Sequence, residues 1–124
     1  MHRTHEATLK AWKDAYGRSP LLIRGARQVG KTYLITKFAK ENFTSFINVN
    51  FDLQPEYKHC FQSLQPTEIN NLISAINRQP IVPGQTLLFF DEVQECPQAI
   101  KALRYYKELM PELHVIAAGS LLEF

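Results

Sequence analysis

The stretch from Leu21 to Ala39 limits the possible folds more than any other part of the chain. It opens with an apolar run, Leu21-Leu22-Ile23, of the length and content of a buried strand. It continues with Gly25-Ala26-Arg27-Gln28-Val29-Gly30-Lys31-Thr32, a full match to G-x-x-x-x-G-K-[ST]. It closes with Leu34, Ile35, Phe38 and Ala39 at the spacing of one helix face. In a chain this long the pattern alone arises by chance on the order of one time in a few hundred. The flanking strand and helix are what separate it from a glycine turn leading into an ordinary amphipathic helix.

Each fixed residue of the loop has a physical task. Gly25 and Gly30 can take backbone angles that a Cβ forbids, so successive N–H groups can curl around an anion. The expected cradle runs through Gly25, Ala26, Arg27, Gln28, Val29, Gly30, Lys31, Thr32 and Tyr33, and the helix that follows favours negative charge at its N-terminal end. Lys31 adds a compact positive charge for β- and γ-phosphates, and Thr32 offers a hydroxyl to Mg²⁺. Arg27 lies inside the loop, where a phosphate contact and a solvent-facing role are equally open.

A second pattern lies at Leu87-Leu88-Phe89-Phe90-Asp91-Glu92. A continuous apolar run fits a strand covered on both faces, as in a parallel sheet. Acids at its C-terminal end would emerge where such sheets bind ligands. Asp91 is the expected second Mg²⁺ ligand, and Glu92 the expected base that polarises an attacking water. An apolar strand ending in acids is weak on its own; an upstream phosphate loop makes the pair specific.

The remaining elements follow from periodicity and breakers. A short helix is expected over 6–15, then a break at 17–20 and a strand at Leu21–Arg24. A helix over 31–41 and an alternating strand over 46–51 come next. Residues 52–64 are ambiguous between a turn and a short helix. Ile69, Leu72, Ile73 and Ile76 form a helical stripe after Pro66-Thr67. A loop with Pro80, Pro83 and Gly84 leads to the acid-tipped strand over 86–90. Pro97 opens a helix with Ile100, Leu103, Tyr106 and Met110 on one face, Pro111 stops it, and a last apolar strand runs over 113–118. Strands alternating with helices imply an α/β fold, a parallel sheet with helices on both faces. The whole chain, 1–124, reads as one domain, with 1–20 as a helical extension within it.

Composition excludes several classes. Lys and Arg number 14 against 12 Asp and Glu, a net charge of +2, too small to argue for nucleic acid or a membrane surface. No apolar stretch approaches a membrane span and the N-terminus lacks the apolar core of a signal peptide. A cytoplasmic protein with reduced Cys60 and Cys96 is expected. The cysteines fit no zinc spacing, and His2, His5, His59 and His114 read as structural or solvated.

The segments Arg24 to Leu34, Phe89-Phe90-Asp91-Glu92-Val93-Gln94-Glu95-Cys96-Pro97 and Val115 to Leu122 resemble, in order, the phosphate loop, Walker B segment and sensor-one turn of a family of prokaryotic AAA+-type ATPases. In that family the ATPase domain is followed by a C-terminal domain of unknown function. The resemblance covers about Leu21 to Leu122. It implies ATP and Mg²⁺ as cofactors, a three-layer P-loop NTPase sandwich, and Ser120 close to the γ-phosphate. Ser120 also reads as a small residue permitting a tight turn. Such domains flank the phosphate-loop strand with the sensor-one strand and a fifth strand, for which this sequence has no counterpart. An incomplete sheet, an N-terminal portion of a longer domain and either self-association through the open edge or marginal stability are therefore expected. The functional reading is an ATP-hydrolysing domain. Its alternatives are a nucleotide-binding switch without turnover and, disfavoured by the absence of an Asn-Lys-x-Asp signature, a GTPase or small-molecule kinase.

Overall fold

The computed structural model describes residues 2–15, 17–24 and 29–119, with the side chains of 2–6, 24 and 29–31 outside the description. Helix α1 (His2–Asp14) precedes strand β1 (Leu21–Arg24), helix α2 (Val29–Asn42) and strand β2 (Ser45–Asn50). Helix α3 (Pro66–Asn77), strand β3 (Thr86–Asp91), helix α4 (Pro97–Leu109) and strand β4 (His114–Gly119) follow. Short 3-10 helices occupy Pro55–Phe61 and Val93–Glu95.

The described strands form one sheet of four in the order β1-β4-β3-β2, and every pairing is parallel. Parallel neighbours need crossovers, and the helices supply them on both faces. One face carries α1 and α2, packed through Leu9, Ile35, Phe38 and Ala39 onto Leu87, Phe89, Ile116 and Ala118. The other carries α3, α4 and the 3-10 segments, packed onto Ile47, Val49, Leu88, Phe90, Val115 and Ala117. This is the three-layer α/β arrangement of a P-loop NTPase, and it is incomplete: among the described residues no fifth strand lies outside β1.

Strand composition follows position. Central β3 and β4 are buried at every residue, so their unbroken apolar runs match a two-sided environment. Each fully buried Phe or Leu there contributes about 1.5–3 kcal/mol. In β2 the alternation survives, with Ile47 and Val49 fully buried and Phe46 and Asn48 only partly. Strand β1 departs from expectation. Leu21, Leu22 and Ile23 are half-buried, because β1 has a partner strand on one side only among the described residues.

Two helix faces also differ from the periodicity. On α3, Ile69 and Ile73 are fully buried, but Leu72 and Ile76 are 47% and 39% exposed. On α4 the buried line is Ala99, Ala102 and Tyr106, with Ile100, Leu103 and Met110 at its flanks. Small residues let α4 sit close to the layer beneath, which pushes the larger ones outward. The ambiguous stretch 52–64 is anchored by its 3-10 helix, whose Tyr57, Cys60 and Phe61 are buried. Cys60 and Cys96 are free and buried, and burial pushes the Cys60 thiol up to about 11.

The end of the sheet where the strands begin is closed by polar contacts. Arg18 donates from a terminal guanidinium nitrogen to the carbonyl of Glu112 and to Nδ1 of His114, each at 3.1 Å. The other ring nitrogen of His114 bonds the carbonyl of Lys13 at 3.1 Å. Trp12 and Phe43 pack edge-on against the same ring, so His114 is a structural residue.

Candidate functional site

At the opposite end of the sheet, where the strands finish, β3 ends in Asp91 and α2 begins. Asp91 shares its sheet face with Leu87 and Phe89, the face that α2 covers, since side chains two residues apart point the same way. That geometry brings the first turn of α2 to the acid: Thr32 Oγ1 donates to Asp91 Oδ2 at 3.3 Å across 59 residues of sequence. Asp91 is 8% exposed, and its Oδ1 accepts the main-chain N–H of Glu92 at 2.9 Å. The carboxylate is thus held at both oxygens. Thr32 is further tied into the helix, where its carbonyl accepts from Thr36 Oγ1 at 2.8 Å.

Glu92 follows in the left-handed region, at φ 56° and ψ 46°. For a residue with a side chain this backbone costs about 1–2 kcal/mol, and such residues gather at functional sites. The turn is fixed by Glu95 N–H to Glu92 carbonyl and Cys96 N–H to Val93 carbonyl, both at 3.0 Å. Val93 is fully buried beneath it. Gln94 Nε2 donates to Glu92 Oε1 at 2.8 Å.

Of the residues expected at the site, Thr32, Asp91 and Glu92 come together on this rim. Val29, Gly30 and Lys31 are the first residues of α2; their side chains are outside the description. Tyr33 is 65% exposed beside them. Gly25, Ala26, Arg27 and Gln28 lie outside the described residues, as does Ser120 just beyond β4. Asn50 of β2 stands next to Asp91 in register, and its Oδ1 accepts from the N–H groups of Asp52 and Leu53, both at 2.9 Å.

Gln94 and the left-handed Glu92 were not readable as site features in advance. The only signal for Gln94 is its position two residues beyond Glu92, which matters only once the chain is known to turn there. The donor chemistry fits a hard divalent cation. A hydroxyl and a carboxylate oxygen, side by side at a helix start, are the two protein ligands Mg²⁺ commonly keeps, its remaining positions going to water and phosphate. Among the described residues there is no group of three or more His, Cys, Asp and Glu that could hold a metal. No described helix is long and apolar enough to cross a membrane.

A family model described as an AAA domain matches residues 17–124. Comparison with the curated proteins gave no match.

Proposed function

The chain belongs to the AAA domain family and is a nucleotide-binding domain of ATPase type; from that premise we propose that it binds ATP together with Mg²⁺ and hydrolyses it, as a cytoplasmic enzyme. The observation that carries this reading is the meeting of Thr32 and Asp91 at 3.3 Å. The two come from the separate motifs that such chemistry needs.

In this reading the amides from Gly25 to Tyr33 and the Lys31 ammonium hold the phosphates. Thr32 and Asp91 would hold the cation, which would supply charge neutralisation to the phosphates. Glu92 would accept a proton from the attacking water as the water oxygen bonds the γ-phosphorus and the bond from that phosphorus to the β,γ-bridging oxygen breaks, leaving ADP and phosphate. Ser120, the residue that follows β4 in the sequence, would contact the γ-phosphate. The protein's contribution is positioning and fixed charge rather than covalent chemistry.

Phosphate release from Mg²⁺-ATP, measured beside nucleotide affinity, tests the assignment. Lys31→Ala is expected to lose binding. Glu92→Gln is expected to keep binding and to lose about two to four orders of magnitude in turnover. Binding by Lys31→Ala at the unchanged affinity would remove the phosphate-site reading. No release from the parent chain despite tight binding would leave a nucleotide-controlled switch in place of an enzyme.

A further inference from the structure

We propose that Gln94 is a positioning residue for hydrolysis, fixing the carboxylate of Glu92 in the orientation from which it meets water. The proposal rests on the reading of Glu92 as the base.

The geometry that supports it starts with the turn. Gln94 sits in the middle of the 3-10 turn Val93–Glu95, pinned by fully buried Val93 and by the two 3.0 Å main-chain bonds that close it. Its Cα therefore has little freedom relative to Glu92. An ionised carboxylate only accepts hydrogen bonds, so the 2.8 Å contact to Glu92 Oε1 must come from the amide NH₂. The amide orientation follows from this chemistry. Its consequence is that Gln94 Oε1 is turned inward, buried and without a hydrogen-bond partner.

A buried acceptor left unpaired is costly. A glutamine serving only as filler would rotate its amide toward solvent, since Gln94 is only partly buried. The bond to a charged acceptor is the one stronger interaction on offer. The side chain therefore keeps an unsatisfied oxygen in order to hold Glu92. Removing that bond takes away one of the contacts that set the orientation of the carboxylate, and a base misplaced by about 1 Å can lose on the order of a hundredfold in rate.

The test uses the full chain with Gln94→Met, which keeps length and removes the amide, and Gln94→Glu, which sets a like charge against Glu92. Turnover, KM for Mg²⁺-ATP, the Kd of a fluorescent ATP analogue and the thermal midpoint are measured for each, alone and combined with Glu92→Gln. Gln94→Met is expected to lower kcat about 10- to 100-fold with KM and Kd within about twofold, and Gln94→Glu to lower kcat at least as far. In the Glu92→Gln background neither change should lower turnover further, because residues acting through one group are non-additive. Parent-like kcat in Gln94→Met, a matching loss of nucleotide affinity, or a multiplicative loss in the double variant would overturn the proposal. If Gln94→Met fails to fold, parent-like kcat in Gln94→Glu does so. Parent-like turnover in Glu92→Gln would remove the base reading itself; an inactive Glu92→Gln beside a fully active Gln94→Met would remove only the role of Gln94.

Discussion

His114 shows how one residue's surroundings fix its chemistry. A guanidinium can only donate, so Nδ1 of His114 must accept from Arg18. The proton then sits on Nε2, which donates to the Lys13 carbonyl. This ring is neutral, and a second proton would point at a cation. Burial is the larger influence, and together they lower His114 from the usual value near 6.5 to about 4. A base depressed in the folded state binds its proton first in the unfolded state. Stability should therefore fall as pH drops from about 6.5 to about 4, by up to on the order of 3 kcal/mol, and level off below. Urea denaturation at pH 7 and pH 4.5 measures this, with His114→Phe expected to flatten the difference; an equally acid-sensitive His114→Phe would assign the effect elsewhere. At this scale the sequence was partly legible. Motif spacing marked Lys31, Thr32, Asp91 and Glu92 as candidates in advance, and the fold brings Thr32 and Asp91 together. His114 and Gln94 do not, because their roles come from contacts with Arg18 and Lys13, and across a turn, that no spacing encodes.

Helices α3 and α4 are joined by a buried polar contact in an apolar layer. Tyr106 donates its hydroxyl to Asn70 Oδ1 at 2.7 Å, and Asn70 Nδ2 reaches Met110 Sδ at 3.1 Å. Tyr106→Phe keeps the ring that packs edge-on to Phe90 and strands the Asn70 oxygen. The expected loss is about 1–3 kcal/mol of stability with nucleotide affinity unchanged. Denaturation alongside a binding titration checks it, and a neutral stability effect would mean the Asn70 oxygen finds another donor. The helix starts were legible from Pro66 and Pro97, which occupy first-turn positions where a missing N–H does no harm. Which face each helix buries was less so. Periodicity marks an apolar stripe, but Ala99 and Ala102 decide how closely α4 approaches, and a closer approach turns Ile100 and Leu103 to the edge of the contact.

For the whole molecule, alternating strands and helices led directly to a parallel sheet, since β3 and β4 are too apolar to be anything but central. The strand order adds a liability. The outer side of β1 presents unpaired main-chain groups among the described residues, and such an edge templates pairing with another chain. The chain is expected to associate with increasing concentration, visible by light scattering. A single monomeric species maintained to roughly 100 µM would contradict this.

The anchoring of Arg18 against Glu112 and His114 reaches further than its local bonds. It fastens the backbone three residues before β1, a strand only four residues long, whose span is about 13 Å. A tether that short leaves no slack to absorb a slip against β4, and a one-residue slip would turn Leu21 and Ile23 to the wrong side. The point at which β1 ends, on the rim where Thr32 meets Asp91, is thus set from the other end of the sheet, and damage at Arg18 would shift it.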